Sequence, residues 1–127
     1  DYYWHVHHDS LVEVLTAPIE ERIAYIIAHK PKDEHELRLR LLKPVKGQLP
    51  AAYQQAEEAN VKARVAWLAE VEVSAAAAAR AWLEVLGAIV ARGMTMRENL
   101  LAIEALHRQE CPDCPWNGET IFPERKE

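Results

Sequence analysis

The fold is decided by residues 51–92, AAYQQAEEANVKARVAWLAEVEVSAAAAARAWLEVLGAIVAR. This stretch contains no proline, its one glycine is Gly87, and fifteen of the 41 residues from 51 to 91 are alanine. Alanine has the highest helix propensity of all residues, so we predict one long helix over 51–92. A faint seven-residue repeat with alanine at its first position would let two helices approach closely, as in a coiled coil. The alternative is chance drift within an alanine-rich helix.

Two shorter helices are predicted before the long one. The first, over 17–30, is indicated by isoleucines that recur on one helical face, and Pro31 ends it. The stretch 33–43 begins with an acidic pattern typical of a helix start, yet its leucines alternate with arginines as in a half-buried strand. Helix and strand both stay open for 33–43, and its helix-forming residues favour the helix.

A last helix is predicted over 95–110. Gly93 is expected to end the long helix, and Thr95 begins a capping pattern. The long helix would then fold back on this shorter one. The ends are expected to be irregular, with an extended arm over 1–16 and a cysteine-containing tail over 111–127.

The expected architecture is therefore all-α, a helical hairpin or bundle within a single domain over 1–127. A helix over 51–92 would be about 60 Å long at 1.5 Å per residue. A compact globule of this chain length has a radius of gyration of only about 14 Å. The helix must then bend, overhang its domain, or pack against another copy, and we expect a homo-oligomer.

Composition and charge exclude several classes of protein. The 127 residues carry 15 basic and 20 acidic side chains, a net charge of −5, and half of them are apolar. The negative net charge makes nucleic acid an unfavourable partner. The one basic stretch is 30–46, and a regulatory module that binds nucleic acid through these residues is a less favoured alternative. No apolar run approaches the ~18 residues of a membrane span, and no signal peptide is visible, so we expect a cytoplasmic protein. What precedes Asp1 stays open.

The strongest chemical signal is His107-x3-Cys111-x2-Cys114. His107 and Cys111 are four residues apart at a helix end and so lie on one face, while two prolines stiffen the turn that carries the thiols. Three nitrogen and sulfur ligands of this kind are typical of zinc, which takes four. Free thiols, or a disulfide or redox pair, are the alternatives. The fourth ligand is expected from one of three histidines in the arm: His5, His7 and His8.

Two functions follow from these patterns. The first is a self-associating structural or interaction protein whose termini are joined by structural zinc. The alternative is a small zinc-dependent metalloenzyme of hydrolase type, with one coordination position left to water and Asp9 as its acid or base. We lean away from an enzyme, and nucleophilic serine chemistry has no support in the sequence.

The two ends of the chain also resemble a known group of proteins. YYWHVHHDSLVE (2–13) and PIEERIAYI (18–26), with ECPDCPWNGETIFP (110–123), are similar to small bacterial and phage-associated helical proteins. These share an N-terminus containing His-His-Asp and a C-terminus of the form CPxCPWxGxTIF. The resemblance implies that the ends are constrained and that the alanine-rich centre is a spacer of variable length. It implies no activity.

Overall fold

The structure is a computed structural model that describes residues 1–125. It is mostly helical, as predicted, with a small three-stranded sheet in addition. The chain divides into two compact units, Asp1–Gln48 with His107–Glu127, and Leu49–Leu106. Among the described residues, no helix combines the length and the apolar character needed to span a membrane.

The sheet belongs to the first unit, and two of its three strands lie within the predicted arm. Strand β1 pairs antiparallel with β2 on one side and with β3 on the other. The arm predicted over 1–16 is thus extended in two short strands, and it is more regular than we expected. Backbone hydrogen bonds and the burial of Trp4 at the end of β1 organise this stretch. The strands are β1 (Tyr2–Trp4), β2 (Val12–Val14) and β3 (Lys43–Pro44).

Two helices complete the first half of this unit. Helix α1 (Ile19–His29) starts two residues after the predicted bound because Pro18, with its extended backbone, precedes the first helical residue. A 3₁₀ turn, Lys32–Glu34, leads into α2 (His35–Leu41). The favoured helix interpretation of the leucine-rich stretch is thus confirmed, and the chain pairs with β1 only after that helix, at Lys43–Pro44.

A buried ion network lies beside α2. The Glu34 carboxylate accepts hydrogen bonds from Arg38, at 2.7 Å, and from Arg125 of the C-terminal tail. Both guanidinium groups lie over the ring of Phe122, with distances of 5.4 and 4.4 Å to its centroid. Arg38 is 6% exposed, so a central member of the basic stretch 30–46 is not available to a nucleic-acid phosphate.

The second unit is a helical hairpin. The predicted long helix over 51–92 is instead two helices, α3 (Ala51–Val71) and α4 (Ala75–Glu98), which pack against each other. The chain turns at residues 72–74 because the Ser74 hydroxyl accepts a hydrogen bond from the backbone N–H of Ala77, at 3.0 Å, and so caps a new helix. Helices of this length span roughly 32 and 36 Å, so the argument for an oligomer from helix length no longer holds.

A buried polar cluster fixes how α3 pairs with α4. Glu57 is 2% exposed, and each of its two carboxylate oxygens accepts a hydrogen bond from Arg92 Nε over a distance of 2.8 Å. The carboxylate also accepts a hydrogen bond from the Tyr53 hydroxyl, at 2.8 Å. Because an uncompensated buried charge is costly, Glu57 and Arg92 specify the register of the hairpin. Near its tip the rings of Trp67 and Trp82 are in contact, with centroids 5.1 Å apart.

The predicted bounds around 93–95 are also wrong. Gly93 and Thr95 lie inside α4, which continues to Glu98. The break comes at Asn99, whose side-chain amide donates to the Thr95 carbonyl at 2.8 Å and so competes with the helical backbone bonds. Helix α5 (Leu100–Glu110) follows.

The Glu34 network makes stability depend on pH. Burial alone would raise the pKa of the Glu34 carboxyl, but the hydrogen bonds from Arg125 and Arg38 outweigh it and hold the pKa below the usual 4.5. A carboxyl with a lowered pKa stabilises the fold above pH 4.5, and this contribution is lost as the pH falls through the lowered value.

We therefore expect Glu34→Gln to lower the free energy of unfolding at pH 7 by about 3 kcal/mol, since a buried charge loses its partner. The difference from the wild type should shrink below pH 4.5. Urea unfolding across pH measures both effects. Glu36→Gln, at an exposed position two residues further on in α2, is the control and should change little. Equal effects of the two substitutions would contradict the account.

Candidate metal centre

Four potential metal ligands meet in the first unit: His5, His107, Cys111 and Cys114. One donor atom from each lies within 4.8 Å of all the others. His5, His107 and Cys111 are buried, and Cys114 is half-buried. Residues about a hundred positions apart in the sequence thus place two nitrogens and two sulfurs around one point, and this group can hold a metal ion.

The end of α5 positions three of the four. His107 lies in the last turn of α5, and Cys111 follows the helix by one residue. The backbone N–H of Cys111 donates to the His107 carbonyl at 2.7 Å, which keeps the two side chains on one face. A tight turn returns the chain so that Cys114 lies near Cys111. This turn is closed by a hydrogen bond from the Cys114 backbone N–H to the Cys111 carbonyl, at 3.2 Å.

His5 comes from the opposite end of the chain, just after β1. Its backbone is left-handed, with φ of 50°, a conformation that is uncommon and mildly strained for a residue other than glycine. The His5 N–H donates to the Leu11 carbonyl at 3.0 Å, which holds this bend. The bend turns the imidazole towards His107, with the two ring centroids 4.9 Å apart.

Hydrogen bonding fixes which nitrogen of His5 is free to bind. Nδ1 lies 2.9 Å from the Ser10 carbonyl oxygen, which can only accept, so Nδ1 carries the proton. Nε2 therefore presents its lone pair to His107 Nε2, at 2.9 Å, and to Cys114 Sγ, at 3.2 Å. A carbonyl that orients the distal nitrogen is the usual outer partner of a metal-binding histidine.

These separations are close to those of a tetrahedral zinc site. Bond lengths of about 2.0 Å to nitrogen and 2.3 Å to sulfur imply N···N and N···S separations of about 3.3 and 3.5 Å in a tetrahedron. The observed 2.9 and 3.2 Å are a few tenths of an ångström shorter. Small outward movements of the side chains would therefore admit the ion.

The protonation states of the donors suit metal binding unequally. Burial lowers the pKa of His5 to about 4, with the nearby His107 adding to the effect and the Ser10 carbonyl opposing it. Burial also lowers the pKa of His107. Both imidazoles are consequently neutral at pH 7, the form that binds metals. In contrast, burial and the neighbouring Cys111 raise the pKa of the Cys114 thiol to about 12, so metal binding there must release a proton.

Aromatic and acidic side chains surround the group. The Trp4 ring meets the edge of His107, with centroids 5.1 Å apart, and its indole N–H donates to Glu110 Oε1 at 3.1 Å. Glu110 also accepts the backbone N–H groups of Lys46 and Gly47, both at 2.7 Å, and so ties the end of α5 to the chain after β3.

Trp116 supports the opposite side of the group. Its ring lies 5.1 Å from that of His5, and its backbone N–H bonds to the Cys114 sulfur. Sequence reasoning singled out none of Trp4, Glu110 and Trp116 as parts of the site. Their place in the sequence could have indicated this role, because each of the three lies one or two residues from a candidate metal ligand.

The structure places the remaining candidates elsewhere. His7 and His8 are exposed and lie outside the four-donor group, His7 Nδ1 being 2.7 Å from Glu13 Oε1 and His8 Nδ1 3.3 Å from Thr120 Oγ1. His8 and Asp9 line a separate cleft of about 390 Å³ beside the Glu34 network. Cys111 and Cys114 are both free thiols, so the disulfide alternative is not what the structure contains.

Comparisons with protein-family models, with curated proteins and with solved structures found no match to this chain. The resemblance of its ends to the small bacterial and phage-associated proteins therefore stays a prediction, and the site is interpreted from its own geometry.

The histidines of the arm give a matched test. We expect His5→Ala to weaken binding of added Zn²⁺ by more than the ~10- to 100-fold that loss of an outer-sphere partner costs, because a direct ligand is removed. His7→Ala, two residues away and exposed, should bind Zn²⁺ as the wild type does. Competition with a chromophoric chelator measures both affinities. A loss of binding in His7→Ala equal to that in His5→Ala would contradict the assignment.

Proposed function

We propose that this protein is a structural and interaction protein in which a zinc ion bound by His5, His107, Cys111 and Cys114 braces the first unit. The observation that carries the proposal is the convergence of two imidazole nitrogens and two sulfurs within 4.8 Å. Bound to all four, the ion would link β1, the end of α5 and the tail in one place.

The donor set favours zinc over other ions. Two thiols with two imidazoles form a common ligand set of structural zinc, whereas calcium and magnesium prefer oxygen. Zinc in structural sites takes four such ligands, and the four donor atoms here lie within 4.8 Å of one another. Copper and nickel bind such ligands too, so the metal is a matter for direct analysis.

Four protein ligands support a structural role for the ion. Catalytic zinc keeps one position for water or substrate, whereas here four candidate protein ligands would fill all four positions of a tetrahedral ion. Asp9 is outside the donor group, so the acid or base that the hydrolase hypothesis requires is not next to the metal. The metalloenzyme remains the weaker proposal.

The interaction role rests on the second unit. Many of its large apolar side chains are exposed, among them Leu83 at 68% and Val90 at 60%. An extended apolar surface on a soluble domain commonly marks a binding site for another protein. Nucleic acid is the less favoured partner, because the net charge is −5 and Arg38 is buried in an ion pair. Two reduced thiols in one site suit a reducing compartment such as the cytoplasm.

Removal of the metal tests the proposal. Zinc present at a hundred times its dissociation constant stabilises a fold by about 2.7 kcal/mol. We therefore expect the zinc-loaded protein to contain one zinc per chain and to lose several degrees of Tm when a strong chelator is added. Zn²⁺ should restore the Tm and Mg²⁺ should not.

A double variant provides the control for that experiment. Cys111→Ser with Cys114→Ser should melt like the chelated wild type and should not respond to Zn²⁺. Absence of any stoichiometric metal, together with a Tm that chelator leaves unchanged, would overturn the zinc proposal.

A further inference from the structure

The two cysteines of this chain, Cys111 and Cys114, both belong to the candidate metal centre. Two residues separate them, and the hydrogen bond from the Cys114 N–H to the Cys111 carbonyl, at 3.2 Å, closes a turn between them. The Cα atoms at the two ends of such a turn are less than about 7 Å apart. Disulfides usually have Cα separations of about 4.4 to 6.8 Å, so the backbone already brings the two thiols within reach of one.

The sulfur atoms themselves are also close to each other. Both belong to the donor group whose members lie within 4.8 Å of one another, and both are free thiols. Rotation about the Cα–Cβ bonds can close the remaining gap to an S–S bond of about 2.05 Å. Because the chain has only these two cysteines, a disulfide within the molecule can form only here.

The two sulfurs differ in their access to solvent. Cys114 is half-buried, whereas Cys111 is 4% exposed. The turn that joins them is at the surface, since Pro112 and Asp113 are both exposed. A small molecule in solution therefore meets Cys114 first, and Cys111 is the protected member of the pair. An accessible cysteine with a second cysteine next to it is the usual arrangement in proteins that respond to oxidants.

We propose that the zinc centre is a redox switch, in which a hydroperoxide oxidises Cys111 and Cys114 to a disulfide and the zinc ion is released. This inference rests on the proposed function, since it concerns the regulation of the same site. A sulfur bound to zinc is a thiolate, which is the form of cysteine that attacks oxidants. The centre thus holds the two thiolates that form a disulfide next to each other, one of them accessible.

With hydrogen peroxide as the oxidant, the reaction has two steps. The Cys114 sulfur attacks one peroxide oxygen, so that an S–O bond forms as the O–O bond breaks, and the hydroxide that leaves takes a proton to become water. The Cys111 sulfur then attacks the Cys114 sulfur, so that an S–S bond forms as the S–O bond breaks, and a second proton converts the leaving hydroxide to water. Overall, the two thiolates lose two electrons, the peroxide is reduced to two water molecules, and the zinc ion keeps its charge.

Oxidation removes half of the donor set. Metals bind the thiolate form of cysteine, so a disulfide leaves His5 and His107 as the remaining ligands. Structural zinc takes four ligands, and two imidazoles alone hold it much more weakly. The link between β1 and the end of α5 is then lost. The second unit contains no cysteine, and its helices should persist. A disulfide that closes so short a loop stabilises the fold little, so a dithiol can reverse the oxidation by exchange.

The test follows zinc and thiols together in the zinc-loaded full chain after addition of hydrogen peroxide. A chromophoric chelator measures the released zinc, and a thiol reagent applied to denatured samples measures the remaining cysteines. We expect one zinc released for every two thiols lost, with equal half-times, and a Tm that falls to that of the chelated protein. Treatment with a dithiol, followed by its removal and addition of Zn²⁺, should restore the thiols, the bound zinc and the Tm.

Two kinds of variant separate the switch from other effects of peroxide. Met94→Leu with Met96→Leu removes the other oxidisable sulfurs of the chain, both in the second unit, and should release zinc at the wild-type rate. Cys114→His replaces one thiol with an imidazole, which retains four nitrogen and sulfur donors but leaves no pair for a disulfide. Zinc bound to this variant should stay bound at a peroxide concentration that empties the wild type. Cys111→His makes the same change at the buried thiol and should give the same result.

Several results would overturn the proposal. These are zinc that stays bound after both thiols are oxidised, thiols of the folded protein that resist peroxide, a disulfide between chains instead of within one, or zinc release from the histidine variants as fast as from the wild type. Zinc content before oxidation separates this proposal from the structural zinc. A zinc-bound protein that gives any of these results overturns the switch alone. A chain that binds no zinc overturns the zinc brace, and the switch with it.

Discussion

The first unit depends on one constraint: the nitrogens His5 Nε2 and His107 Nε2 lie 2.9 Å apart in a buried place with a thiol at 3.2 Å. Burial keeps both imidazoles neutral, so their lone pairs require a shared proton or a cation. A metal ion bound by all four residues would satisfy both histidines and both sulfurs at once. The need for a cation between the imidazoles also explains two features of His5. Its left-handed backbone and the hydrogen bond of its Nδ1 to the Ser10 carbonyl both direct His5 Nε2 towards the centre of the group.

The division of the apolar core of this unit into small clusters shows why a metal brace would be useful. The unit has about 70 residues, and its apolar side chains form separate small clusters, one around Ile26 and another around Leu41 and Ile121. Domains of this size bury too little surface for a large margin of stability, and metals or disulfides commonly make up the difference. The hairpin is organised differently, by the buried Glu57–Arg92 pair and by helix packing.

Parts of this structure could be predicted from the sequence because they depend on local spacing. The helical class follows from the alanine-rich composition, and His107, Cys111 and Cys114 share a face through their separation along the chain. The choice of His5 among three histidines depends on the bend after β1, which adjacent sequence does not reveal. The hairpin turn did have a local signal: Ser74 is the only serine or threonine between 51 and 92, and it directly precedes five alanines. The pairing of Glu57 with Arg92, 35 residues away, follows only from the folded hairpin.

The most direct test of the central claim is X-ray absorption at the metal edge of the purified zinc-loaded protein. Coordination by His5, His107, Cys111 and Cys114 predicts two sulfur neighbours at about 2.3 Å and two imidazole nitrogens at about 2.0 Å, with no further oxygen. A spectrum dominated by oxygen or nitrogen neighbours, with no sulfur bound to the metal, would contradict it.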